Sequence, residues 1–196
     1  MFVEEIILGL DISTSITGFA LADSKSGELL LYDHIDLRKK KCIFEKAEYV
    51  KQYLLDIKLS ANISYIYIEQ PFTFFNSGGS SAKTMAILQK FNGIVSWLCW
   101  DLFRIKPIYI GATQARKTCG IKVPRGKKAK LVVLDHVLKT EESFKIEYTR
   151  HNNPKAESYD RADAIVIAKA GAILEKQNEK NTELEQICSK RSIDAE

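Results

Sequence analysis

Asp160 and Asp163 stand three residues apart at the start of an apolar stretch, AESYDRADAIVIAKAGAIL, that runs from Ala156 to Leu174. The stretch reads as a buried helix, and a separation of three residues puts both carboxylates on one face of it. Two like charges there repel each other, and the helix N-terminal dipole offsets only ~0.3–1 kcal/mol per charge. A divalent cation would offset more. Two further acids end apolar strands: Asp11 after EEIILGL, and Glu69 after SYIYI. A carboxylate among apolar neighbours is costly unless something compensates it. If the four converge, they form a set of hard oxygen ligands of the kind that selects Mg²⁺ or Mn²⁺ and leaves room for water and substrate phosphates. The chemistry such a set points to is two-metal phosphoryl transfer. Each acid also has a plainer use on its own. Asp11 can cap the turn DISTS, Glu69 can pair with a lysine, and Asp160 and Asp163 can serve as first-turn acids.

The bases decide between these uses. A net charge of +4 says little by itself, but the distribution is uneven. Arg38 to Lys41 reads RKKK, and residues 116–130 read RKTCGIKVPRGKKAK, which holds Arg116, Lys117, Lys122, Arg125, Lys127, Lys128 and Lys130 and no acid. A solvated helix face is the usual meaning of a basic run. Unopposed positives around the loop-like VPRG point instead to a phosphate backbone as partner.

The frame that must position these residues is one domain. The chain has 196 residues, 45% hydrophobic and 28% charged, which fits a globular protein with a real core and no repeats. The opening MFVEEIILGLD carries acids where a signal peptide needs bases, and no apolar run reaches the ~20 residues of a membrane span. No two of Cys42, Cys99, Cys119 and Cys188 form a C-x-x-C pair, so zinc binding is not expected and the thiols read as structural. A cytoplasmic protein without membrane contact is the expectation.

EEIILGLDIS, TGFALADS and GELLLYDHIDL read as three strands of an antiparallel meander, with KSG as the turn between the last two. Phe44, Ala47, Val50, Tyr53, Leu54 and Ile57 recur at helical spacing. SYIYIEQPF is a strand stopped by Pro71, and FTFFNSGGSS is a loop whose Ser80 or Ser81 caps a helix over Ala82–Phe103. That helix is apolar on more than one face. Met85, Leu88, Phe91, Val95, Leu98 and Leu102 form one stripe, which Ile87, Ile94, Trp97 and Trp100 widen. With more apolar surface than one sheet needs, the helix is expected to meet a second copy of the chain through the stripe Met85, Leu88, Phe91, Val95, Leu98 and Leu102, and a helix sandwiched within one domain explains the excess equally well. KPIYIG is a short strand of parallel type, ATQARKTCG a helix closed by Gly120, and PRGKKAKLVVLDHVL a loop entering a basic helix. Asn153-Pro154 opens the last helix. The domain is expected over residues 1–175, with 176–196 as a polar, frayed tail. The order β-β-β-α-β-α-β-α-α-α predicts an α/β fold with a mixed sheet and helices on both faces.

LGLDISTSITGFALAD resembles the opening of the RuvC family of Holliday junction resolvases, within the RNase H-like superfamily. YIEQPF resembles that family's second motif, and SYDRADAIVIA its last, D-x-x-D-A-x-x-I-A. The resemblance spans residues 5 to 172, and its compact form and diverged middle look more like phage or viral RuvC-like proteins than the bacterial one. It implies an RNase H-like fold with a mixed five-stranded sheet. It implies that Asp11, Glu69, Asp160 and Asp163 hold two Mg²⁺ ions, replaceable by Mn²⁺ and bridged by Asp11, for in-line hydrolysis of a phosphodiester to 5′-phosphate and 3′-hydroxyl ends. Phe72 falls where the family stacks an aromatic on a base near the junction point, with Phe74 and Phe75 beside it. Lys117 and Lys127 or Lys128 fall near the family's lysines, and Lys117 is the candidate for stabilising charge at the reacting phosphate. The family also implies a homodimer through the long central helix. Two-fold symmetry suits paired nicks in a four-way junction.

Three other readings compete. A sugar-kinase-like ATPase opens with a similar strand, but it needs a glycine-rich phosphate loop after the aspartate, where this chain has Ile12-Ser13, and a second domain. A non-catalytic DNA-binding module on the same fold has no need of the complete acid set. A flap, fork or RNA-containing-duplex nuclease would share the metal chemistry and differ in loops and dimer shape.

Overall fold

The structure, a computed structural model, describes residues 5–71 and 82–193, with side chains through residue 182. Phe72, Phe74 and Phe75 lie outside the described residues. The chain opens with the expected meander: β1 (Ile6–Asp11), β2 (Ile16–Asp23) and β3 (Leu29–Asp36). The β2–β3 turn closes because Asp23 Oδ1 accepts from the backbone of Lys25 and Ser26, and Gly27 supplies a φ of 76°. α1 (Ile43–Ser60), β4 (Ile63–Glu69), α2 (Ala82–Phe103) and β5 (Ile108–Ile110) follow. α3 (Ala112–Thr118), α4 (Ala129–Thr140) and α5 (Ala156–Ile193) complete the order. The element order is the one the sequence predicts.

The five strands form one mixed sheet in the order β3-β2-β1-β4-β5. β1 pairs antiparallel with β2 and parallel with β4, which places it at the centre. Strand periodicity divides the core in two. Ile6, Leu8 and Leu10 of β1, with Ile66 and Ile68 of β4, pack under α1 and α2. Ile7 and Tyr67 pack on the other side, under α3, α4 and α5. By the same alternation Asp11 and Glu69 belong to the α5 side.

α5 approaches the sheet closely because the contact is built of small residues. A Cβ added at Gly9 would stand 2.5 Å from the backbone nitrogen of Ala168, and one at Gly18 would stand 2.1 Å from the carbonyl oxygen of Asp160. No other residue fits at either strand position. α5 begins at Ala156, two residues beyond the expected Asn153-Pro154 start. Pro154 instead forms a bridge with Tyr148, and Lys155 N–H donates to the Glu147 carbonyl. At its far end the helix passes Glu175 without a break and runs to Ile193, where the sequence suggests fraying. Glu175 is buried and accepts a hydrogen bond from the Tyr67 hydroxyl, so this acid belongs to the domain rather than to a solvated tail.

The α2 stripe expected to meet a second copy faces inward instead. Phe91, Val95 and Leu98 are buried in the α1/α2 core and Leu102 packs on that core, while Met85 and Leu88 are half-buried. A helix lying on a sheet turns its most regular apolar stripe to that sheet, which removes the most apolar area from water. Ile87, Trp97 and Trp100 remain outward, at 41%, 60% and 46% exposure.

Candidate active site

The sheet geometry gathers the acids. The β1–β4 ladder ends on Leu10 and Ile68, so Asp11 and Glu69 follow it side by side, on strands roughly 5 Å apart. On the other flank Asp11 pairs with Gly18. The bare α-carbon of Gly18 lets the backbone of Asp160 rest directly on β2, so the first turns of α5 lie over the end of β1. Asp160 and Asp163, nearly one turn apart, then look down on the strand acids. The four carboxylates, with Ile12, Ser13, Gln70, Pro71, Leu88, Asn92 and Lys130, line one cleft of about 240 Å³.

Their electrostatics report the crowding. Burial pushes the Asp11 carboxyl well above the ordinary range, and Glu69, Asp163 and Asp160 push it further. Burial followed by Asp163 raises Glu69 to about 7. Burial raises Asp163 to about 6, with Asp160 adding to the rise, and burial raises Asp160 as well. Lys130, in the first turn of α4, opposes the rise at all four acids, and Arg116 opposes it at Glu69 and Asp163.

Among the described residues, no three acid, histidine or cysteine side chains close on a common point as a finished metal cage would. The donor set nonetheless fits Mg²⁺. That ion uses one or two carboxylates, keeps several waters and takes further oxygens from substrate phosphate, rather than filling an all-protein cage. Four mutually repelling carboxylates facing one open cleft offer that kind of partial shell.

The structure distributes the basic candidates differently from the sequence expectation. Lys117 lies outside the acid cleft. It lines a neighbouring hollow with Thr113, Arg116, Gly120, Ile121, Lys122 and Val123. Lys130 takes the place beside the acids because the loop after α3 turns back and starts α4 at the cleft mouth. Arg125, Lys127 and Lys128 are exposed on that loop. Leu88, expected at a dimer face, is a cleft wall.

Sequence reasoning also missed Asn92. It is buried in α2, and its Nδ2 donates to the Glu69 carbonyl at 3.4 Å, which ties the end of β4 to the helix. The Ser96 hydroxyl donates to the Asn92 carbonyl at 2.7 Å and accepts from Tyr109 at 2.7 Å. An asparagine and a serine four residues apart, within the apolar run of α2, are the signal that could have found it.

The fold, a mixed five-stranded sheet with helices on both faces, is the α/β fold of RuvC-like proteins. The chain superposes on Thermus thermophilus RuvC, solved in complex with a Holliday junction substrate, with a TM-score of 0.61 and 14% identity over 88% of this chain and 96% of that one. It superposes on the yeast mitochondrial Holliday junction resolvase Ydc2 with a TM-score of 0.62 and 12% identity, over 95% of this chain and 86% of that one. No protein-family sequence model matches the chain, and no curated protein matches it by sequence.

Proposed function

We propose that the protein is a divalent-metal-dependent endonuclease selective for branched DNA, and that its substrate is the four-way junction. The observation that carries this reading is the meeting of Asp11, Glu69, Asp160 and Asp163 in one cleft with Lys130 among them. Both superposed proteins are Holliday junction proteins by name, which supports the choice of substrate.

Asp11, Glu69, Asp160 and Asp163 would hold Mg²⁺, which when bound supplies positive charge at the reacting phosphate and a water acidic enough to attack it. The rest falls to the chain's own groups. Lys130 holds a phosphate oxygen over the acids and offsets the charge that develops there. Arg116 faces Glu69 and Asp163 and neutralises the strand entering on the β5 side. Asn92 ties the Glu69 end of β4 to α2. The basic hollow around Lys117 and Lys122 and the exposed Arg125, Lys127 and Lys128 grip the backbone beyond the scissile bond.

The junction has two-fold symmetry, so two cuts call for two copies. The outward face of α2, with Ile87, Trp97 and Trp100, is the surface we assign to that contact.

The deciding experiment incubates the protein with labelled four-way, flap, fork and linear duplexes in Mg²⁺, Mn²⁺ or chelator. Paired, symmetric nicks in the four-way junction that vanish with chelator are expected. Preferred cutting of flaps would redirect the assignment to flap processing, and no cutting of any branched DNA would end it.

A further inference from the structure

The RKKK run has no part in the site described so far, yet the fold brings it to the same end of the sheet. β3 ends at Asp36 beside the start of β2, and Leu37 N–H donates to the Ser15 carbonyl at 2.8 Å. The Lys46 ammonium donates to the Thr14 carbonyl. Both bonds fasten residues 37–46 to the turn that follows Asp11. Arg38 and His34 bear on Asp160 from this side, as Arg116 bears on Glu69 and Asp163 from the other. The acids therefore lie between two basic banks, one beyond β3 and one beyond β5. Four strand spacings put the edge strands roughly 20 Å apart, the length of about six base pairs of duplex.

The β3-side bank is tied down at several points, and part of it is free. Arg38 forks onto Asp36 at 2.9 and 2.7 Å, and the Lys40 ammonium sits 3.9 Å from the centre of the Tyr49 ring. Glu45 Oε2 accepts from Lys41 N–H at 2.8 Å while Cys42 Sγ accepts from Glu45 N–H, a reciprocal cap that fixes the entry into α1. Between these anchors Lys39 and Lys41 are exposed, and among the described residues neither has a carboxylate within ion-pair distance. Beside them Phe44, on the first turn of α1, is 75% exposed. A large aromatic ring held in water by a fixed helix turn, next to unpaired ammonium groups, is the arrangement that tracks a nucleic-acid strand: bases stack on the ring while phosphates meet the lysines.

We propose that Lys39, Lys41 and Phe44 form a second DNA contact on the β3 side of the cleft, where the two lysines take backbone phosphates of the strand leaving the acids and Phe44 stacks on an unpaired base of that strand. This rests on the branched-DNA nuclease reading and adds to it: the strand is held on both sides of the cut, and opened on the β3 side.

The test measures binding of a four-way junction in chelator across a salt series, for wild type, Lys39→Ala/Lys41→Ala and Phe44→Ala. The lysine pair variant should bind roughly tenfold or more weakly at 0.1 M salt, with the slope of log affinity against log salt reduced by about 0.7–0.9 per lysine. Phe44→Ala should bind about 5- to 50-fold more weakly with the salt slope unchanged. A 2-aminopurine placed in the strand beside the branch should be quenched by wild type and not by Phe44→Ala. Because all three side chains are exposed, unchanged melting temperatures would separate these losses from misfolding. Wild-type affinity, slope and quenching in the variants would overturn the second contact and leave the nuclease reading standing. A wild type that binds no DNA would overturn the nuclease reading, and this contact with it.

Discussion

The α-carbon of Gly18 lies against the carbonyl of Asp160, so closely that a Cβ there would fall 2.1 Å from the oxygen and 2.6 Å from the carbon. Gly18 is also the partner of Asp11 across the β1–β2 ladder. One glycine thus sets the height of α5 above the strand that carries the central acid. Gly18→Ala must lift the start of α5 by an ångström or more. Misplacement on that scale costs catalysis about a hundredfold. The variant should nick branched DNA at least that much more slowly and lose about 1–3 kcal/mol of stability, as overpacked sites do. Nicking rates at saturating DNA and a urea melt check both, and wild-type turnover would remove Gly18 from its positioning role.

The acids should also make the protein unusual in its response to pH. Glu69 sits at about 7 and Asp163 at about 6, each above its unfolded value, because burial and neighbouring acids disfavour the ionised form. The folded chain therefore keeps protons that the unfolded chain has released between about pH 4 and pH 7. Linkage makes stability fall as pH rises through that window. In chelator the protein should melt several degrees lower at pH 8 than at pH 5, on the order of 1–3 kcal/mol. The lowered acids Asp23, Asp36 and Glu147 act in the opposite direction, but only near and below pH 4. Mg²⁺ at pH 8 should recover much of the loss, since it binds the folded state alone. A melting temperature that is flat from pH 5 to 8 and indifferent to Mg²⁺ would contradict the crowded-carboxylate account.

Asp163→Asn separates chemistry from stability. It removes one of the repelling charges and one ligand oxygen while keeping the shape of the side chain. Nicking should be lost if Asp163 helps to hold the proposed metal, because the ion that activates the attacking water then loses a ligand. Junction binding should survive, because the basic banks do most of the holding. In chelator at pH 8 the variant should melt higher than wild type. A variant that cuts at the normal rate would show that Asp163 is not part of the site.

The acids were legible in the sequence because Asp11 and Glu69 end apolar runs and Asp160 and Asp163 begin one, and a charge in such a place needs a reason. The layer order was legible because strand and helix periods differ so clearly between SYIYIE and the α1 stripe. The choice among the lysines was not. Lys117 and Lys130 lie in one basic run, and only the path of the loop before α4 brings Lys130 to the acids and leaves Lys117 in the adjoining hollow. The role of the α2 stripe was equally hidden. Sequence spacing shows that Phe91, Val95 and Leu98 share a face, but which layer that face meets depends on where the sheet lies.

Lys130 and Lys117 should therefore differ in kind. Lys130 lines the cleft and acts on every one of the four acids, so Lys130→Ala should reduce turnover at saturating DNA by about 10²–10³, the loss typical of a charge-stabilising donor. Lys117→Ala should weaken binding and flatten its salt dependence by about one phosphate contact, with turnover nearly intact. Single-turnover nicking beside equilibrium binding separates the two. Equal turnover losses would return Lys117 to the cleft.

The corrected helix face changes which substitution tests the proposed dimer. Leu98 is buried in the protomer core at 6% exposure, so Leu98→Asp would bury a charge and unfold the chain, and it would report nothing about assembly. Trp97 and Trp100 project outward from the same helix, one turn apart, with Ile87 further toward its start. Trp97→Glu/Trp100→Glu should leave the melting temperature within about 2 °C of wild type, as substitutions at exposed positions do. It should turn a dimer into a monomer by light scattering or sedimentation. On four-way junctions that monomer should make single nicks in place of paired ones, because each acid cleft is complete within one chain. If the variant remained dimeric, the contact between copies would have to lie elsewhere than the outward face of α2.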